Sequence, residues 1–125
     1  MQMTNQRAQA TEPEDVTRLI VERVNAQDAA GVADLYAPDA ILAFPPGRTT
    51  VGREAILTLY EQLMAKNPQF QMEKPMPTLR HGDIALASTL SADNTGVRVQ
   101  VLRRQPDGTW LRIIDRPEAT IETTA

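Results

Sequence analysis

Hydrophobic positions change their spacing near Phe70, and that change divides the chain into a helical part and a strand part. Before it, Val16, Leu19, Ile20 and Val24 recur at helical spacing while Glu14, Arg18, Glu22 and Arg23 take the opposite face, which predicts an amphipathic helix. Thr11 and Glu14 stand in capping-box spacing at its start, with Pro13 in the first turn, where a missing N–H costs nothing. Asn25-Ala26-Gln27-Asp28 interrupts the stripe. Asp28 can cap a second, shorter helix running through Ala29, Val32, Leu35 and Tyr36 and ending before Pro38. Asp39 to Phe44 reads as a short strand bounded by prolines. After turn-rich residues to Val51, Gly52-Arg53-Glu54 opens a third helix with Ile56, Leu59, Tyr60 and Leu63 on its apolar side, and Asn67-Pro68 stops it.

From Phe70 onward the period is two, which predicts four strands: Phe70 to Leu79, Asp83 to Ser91, Gly96 to Arg104, and Thr109 to Pro117. The joints are His81-Gly82-Asp83, Asp93-Asn94 and Pro106-Asp107-Gly108, and Pro75 and Pro77 make the first strand an edge or a bulged one. Alternation in the last strand sends Leu111, Ile113 and Asp115 to one face and Trp110, Arg112, Ile114 and Arg116 to the other. Asp115 therefore ends an otherwise apolar face and is the leading candidate for a buried acid. Helices first and an antiparallel meander after them indicate an α+β domain in which a curved sheet wraps around helices. Short helices cannot fill such a sheet from end to end, so a concave pocket is expected between the layers.

Composition narrows the chemistry. The 125 residues suit one domain, and the absence of cysteine removes disulfides, thiolate metal sites and thiol catalysis. A single histidine excludes a multi-histidine metal site within the chain, although carboxylates could still bind a hard cation; neither a metal nor a cofactor is expected. The net charge of -3 gives no general attraction to nucleic acid. No apolar run is long enough for a membrane span, and residues 1–10 are polar, so a cytoplasmic protein is expected, with a flexible N-terminal tail, a domain over 11–118 and a C-terminal tail over 119–125. A small uncharged ligand fits this balance best.

Asn25-Ala26-Gln27-Asp28, Leu35-Tyr36-Ala37-Pro38-Asp39-Ala40, Phe44-Pro45-Pro46-Gly47, Gly52-Arg53-Glu54-Ala55-Ile56, Gly82-Asp83-Ile84-Ala85 and Asp107-Gly108-Thr109-Trp110 follow one another in an order that resembles the nuclear transport factor 2-like superfamily. Within it, the chain looks like the SnoaL-like and ketosteroid-isomerase-like bacterial proteins over about residues 12 to 118. The resemblance implies a cone-shaped (cystatin-like) fold, a pocket between sheet and helices, and a homodimer joined through the sheet's outer face, to which alternation assigns Trp110, Arg112 and Ile114. It also places the isomerase's tyrosine, base and oxyanion-binding acid at Ile20, Phe44 and Gln100, none of which keeps the required group. Isomerisation by that machinery is therefore not expected.

The candidate site consists of Asp115 as acid or base, Gln100 and Tyr60 as hydrogen-bond donors, Arg98 as a possible partner, and Leu42, Phe44, Leu111 and Ile113 as apolar walls. Each has a plainer alternative. Asp115 could pair with Arg98 or Arg116, Tyr60 could be core, Trp110 could serve core or interface, and His81 lies in a turn. Three functions stay open: small-molecule binding with or without acid/base chemistry, a noncatalytic association module with a vestigial cavity, and a SnoaL-like cyclase acting on a polyketide.

Overall fold

The computed structural model describes residues 7–91 and 96–120. In chain order it contains α1 (Pro13–Asn25), α2 (Ala29–Ala33), β1 (Tyr36–Leu42), β2 (Thr50–Val51), α3 (Arg53–Met64), β3 (Lys74–Pro75), β4 (Leu79–His81), β5 (Ile84–Leu90), β6 (Gly96–Arg104) and β7 (Trp110–Thr120). The three helices pack on one face of a seven-stranded sheet of order β2-β1-β7-β6-β5-β3, with β4 also on β5. Every pairing is antiparallel except β1 with β7.

The helices follow the sequence pattern with shifted ends. Helix α1 buries Val16, Leu19, Ile20 and Val24 as predicted, together with Arg23. Its cap is Glu12 rather than Thr11, and Asp15 rather than Glu14 accepts the cap's N–H, at 3.1 Å. Pro13 is the reason: it occupies the first helical position, so the cap must be residue 12. Asp28 caps α2 through the Gly31 N–H at 3.0 Å, but α2 stops at Ala33 instead of reaching Tyr36. Strand β1 claims the following residues, because the Arg112 N–H bonds the Leu35 carbonyl at 2.9 Å and draws this segment alongside β7. Pro38 then falls where the β1–β7 register slips, between Tyr36 and Ile41.

The predicted strand Phe70 to Leu79 is broken into the edge pieces β3 and β4, as its prolines require. The hairpin at Pro106-Asp107-Gly108 forms, with Gly108 at φ 88° and Asp107 accepting from the Thr109 N–H at 3.0 Å. The expected Asp93-Asn94 turn lies outside the described residues. Two boundaries differ from expectation. Residues 7–10 are not a free tail: Ala10 is buried, its carbonyl accepts the Trp110 N–H at 2.9 Å, and Arg7 pairs with Asp28 at 2.7 Å. At the other end β7 continues through Thr120, past the expected limit at 118. Residues 1–6 and 121–125 lie outside the described residues.

The largest departure is in β7. Val101 pairs with Ile114 but Leu102 pairs with Arg112, so Ile113 is an extra residue, a β-bulge, and a second bulge lies between the Val97 and Val99 registers. Each bulge reverses which face later residues point to. Trp110, Arg112 and Asp115 consequently all face inward and are buried, while Ile114 is 47% exposed on the outer face. The expectation that Arg112 and Trp110 form the outer surface is thereby corrected, as is the grouping of Leu111 and Ile113 with Asp115. Across the outer face, successive strand pairs align Val51, Ile41, Ile114, Val101, Leu86 and Leu79 in one apolar row.

Candidate functional site

Between the helices and the inner sheet face lies a cavity of about 390 Å³. Ile20 of α1, Leu59 and Leu63 of α3, and Leu42, Phe44 and Phe70 supply apolar walls. One side of the cavity closes through pairing. Arg98 holds Glu73 through two bonds of 2.6 and 3.1 Å and bonds the Pro117 carbonyl at 2.6 Å, while Asn25 brackets Phe70 through its backbone N–H and carbonyl at 2.7 and 2.9 Å. The segment before β3 is thus tied to both layers.

A hydrogen-bonded cluster centred on Asp115 stands at the sheet side of the cavity. Strand β7 brings in Asp115 and Arg112, β6 brings Gln100 directly opposite Asp115, β1 brings Tyr36 opposite Arg112, and α3 brings Tyr60. Asp115 accepts from the Tyr36 hydroxyl at 2.6 Å, from Arg112 Nη1 at 2.9 Å and from Gln100 Nε2 at 3.3 Å. Arg112 also reaches the Tyr36 oxygen at 3.2 Å and Thr17 Oγ1 at 3.1 Å. The two tyrosine hydroxyls are 3.3 Å apart. Tyr36 has one hydroxyl hydrogen and gives it to Asp115, so Tyr60 donates in this contact and keeps lone pairs available.

Burial sets the electrostatics of this cluster. It pushes the Tyr36 hydroxyl well above its ordinary pKa, and the negative charge of Asp115 adds to the shift; Tyr60 is raised by burial and then by Asp115. Both therefore stay protonated at neutral pH. Burial alone would lower the Arg112 pKa, but Asp115, Tyr36 and Tyr60 outweigh it and the net shift is upward. With Arg112 and Tyr36 directed at one oxygen and Gln100 at the other, Asp115 acts as the acceptor that organises its neighbours.

Of the residues singled out from sequence, Leu42, Phe44, Tyr60, Arg98, Gln100 and Asp115 line the cavity, whereas Leu111 and Ile113 do not. Asp115 is paired, but with Arg112 rather than Arg98 or Arg116. Arg112 and Tyr36 were not anticipated. Arg112 looked outward because the bulge is invisible to alternation, and Tyr36 looked like the end of a helix. No pattern along the strand pairs Arg112 with Asp115, since three residues of strict alternation set them on opposite faces and only the bulge brings them together. Trp110 is core, under the guanidinium of Arg80, 5.3 Å from its ring, and His81 is exposed at the end of β4. Among the described residues no group of three or more His, Cys, Asp or Glu could hold a metal, and no helix is long and apolar enough to cross a membrane.

A helix-backed, bent sheet with a chamber between its layers defines the cone-shaped α+β class. Residues 16–116 match the SnoaL-like domain model, and the chain belongs to that family. No curated protein matches it. Among solved structures it is similar to a candidate calcium/calmodulin-dependent protein kinase type II association domain from Thiobacillus denitrificans (TM-score 0.70, 16% identity, 90% of this chain and 100% of that one). It is also similar to a ketosteroid isomerase-like protein from Erwinia carotovora atroseptica (TM-score 0.65, 18% identity, 82% and 89%). A third is a candidate dehydratase of the NTF2-like family from Streptomyces avermitilis (TM-score 0.67, 19% identity, 87% and 94%). At these identities the likeness establishes the nuclear transport factor 2-like fold, and function has to be argued from the site.

Proposed function

We propose that this protein binds a small, largely apolar, uncharged molecule in the cavity between sheet and helices. The observation that carries this reading is an apolar chamber, large enough for a small organic molecule, with a few polar groups gathered at one side. Arg112 and Asp115 neutralise each other, as do Arg98 and Glu73, which disfavours a charged guest, and Tyr60 and Gln100 are among the polar groups that can orient a neutral one. Phe44 offers no proton acceptor in the wall. Asp115 holds three donors in place, a role that suits positioning better than proton transfer, so binding is favoured over isomerase- or cyclase-like chemistry.

A thermal-shift screen of the full chain against small neutral alcohols and carbonyl compounds tests this, and binding should raise Tm with the logarithm of ligand concentration above Kd. No stabilisation by any apolar compound that fits the chamber would overturn the reading. Tyr60→Phe removes a hydroxyl engaged only at 3.3 Å, so it is expected to cost about 1 kcal/mol of stability or less while weakening polar ligands several-fold in titration.

The second reading, association through the sheet, rests on the apolar row across the outer face, where Ile41, Val51, Leu79 and Ile114 are all exposed in the single chain. A second copy applied to this face would make a homodimer. Ile114→Glu should convert such a dimer to monomer in sedimentation at micromolar concentration with little change in the monomer's fold. A wild-type chain that sediments as a monomer would remove this reading.

A further inference from the structure

The polar side of the cavity leaves two buried atoms without partners among the described residues, Gln100 Oε1 and Arg112 Nε. Both belong to side chains that line the cavity, and both residues are at least nine-tenths buried. The amide orientation of Gln100 follows from its surroundings. Asp115 can only accept from it, so Nε2 must be the atom 3.3 Å from the carboxylate; the reverse orientation would set two acceptor oxygens against each other. Oε1 is then an acceptor in want of a hydrogen, and Arg112 Nε is a donor in want of an acceptor. Leaving such groups bare when buried is costly.

Resting on the binding reading above, we propose that the ligand's polar group is an uncharged hydroxyl, or another neutral group that both donates and accepts, engaged by Gln100 Oε1 and Arg112 Nε. A ketone or ether satisfies Arg112 Nε but brings no hydrogen for Gln100 Oε1. A carboxylate has no hydrogen either, and is repelled by Asp115. An ammonium has no lone pair for Arg112 and meets its charge. Tyr60, whose hydrogen goes to Tyr36, can only accept, so it too favours a guest that brings a hydrogen. A hydroxyl both donates and accepts, as these two atoms require, and the apolar walls leave room for a saturated ring behind it. The alcohol is thus preferred to the corresponding carbonyl compound, the opposite of a site built to stabilise an enolate oxygen.

The test is an NMR titration of the full chain with cyclooctanol, cyclooctanone, methoxycyclooctane and cyclooctane. Cyclooctanol is expected to bind about tenfold more tightly than the ketone or the methyl ether, the size of effect associated with satisfying a buried acceptor. Gln100→Met should bring that ratio close to one while cyclooctane binding persists. Because the wild-type comparison of alcohol with methyl ether already isolates the hydroxyl hydrogen, the result stands even if the Met variant does not fold. Equal affinities, or a preference for the ketone, would overturn the proposal while leaving the binding reading intact, and would mean that water satisfies these atoms. If none of the four binds, the binding reading fails and the proposal falls with it.

Discussion

Asp115→Asn is expected to lower the stability of the folded chain by about 3–5 kcal/mol, because it removes the counter-charge of Arg112 and leaves a guanidinium buried without compensation. Domains of this size have roughly 5–15 kcal/mol in total, so the variant should sit near its threshold. The cause is charge and not volume, since Asn is nearly isosteric with Asp. Arg112→Met combined with Asp115→Leu should therefore recover part of the loss and no more, as an apolar pair carries no charge-desolvation penalty but leaves the buried Tyr36 hydroxyl and Gln100 amide without their acceptor. Urea denaturation of the single and double variants at pH 7 checks this, and a single-variant loss below about 1 kcal/mol would show that the pair is not buried as described. The same pairing means that lost binding or turnover in Asp115→Asn cannot by itself identify a proton donor.

The second large effect is alkaline. Tyr36 and Tyr60, the chain's two tyrosines, both have folded pKa values raised above the ordinary 10, by burial first and then by Asp115. A raised folded pKa means that the unfolded chain loses its phenolic protons first as pH increases. Their contribution is complete below about pH 10 and is lost as pH rises through the higher folded values. Each tyrosine should contribute a slope of up to about 1.4 kcal/mol per pH unit in that window. Phenolate absorbance should stay low in the folded protein and rise together with unfolding. Phenolate formation in a chain still folded by circular dichroism at pH 10.5, roughly the free-tyrosine range, would contradict their burial.

Where each part of this protein is specified can be read from particular residues. The local pattern was enough for the helical stripes of Val16, Leu19, Ile20 and Val24, for Ile56 and Tyr60 on α3, for the hairpin at Pro106-Asp107-Gly108 and for the α+β order, because periodicity, caps and turn residues act over a few positions. Of the site, the sequence indicated Asp115, Gln100, Tyr60 and the walls at Leu42 and Phe44. It did not indicate Arg112 or Tyr36, nor that Leu111 and Ile113 stand apart from the cavity. Those placements depend on the bulges in β7 and on the parallel pairing of β1 with β7, which are properties of two strands in register and not of either one alone. Alternation counts residues along a single strand. One extra residue, set by the partner strand, reverses everything beyond it, and only the tertiary structure decides where that residue falls.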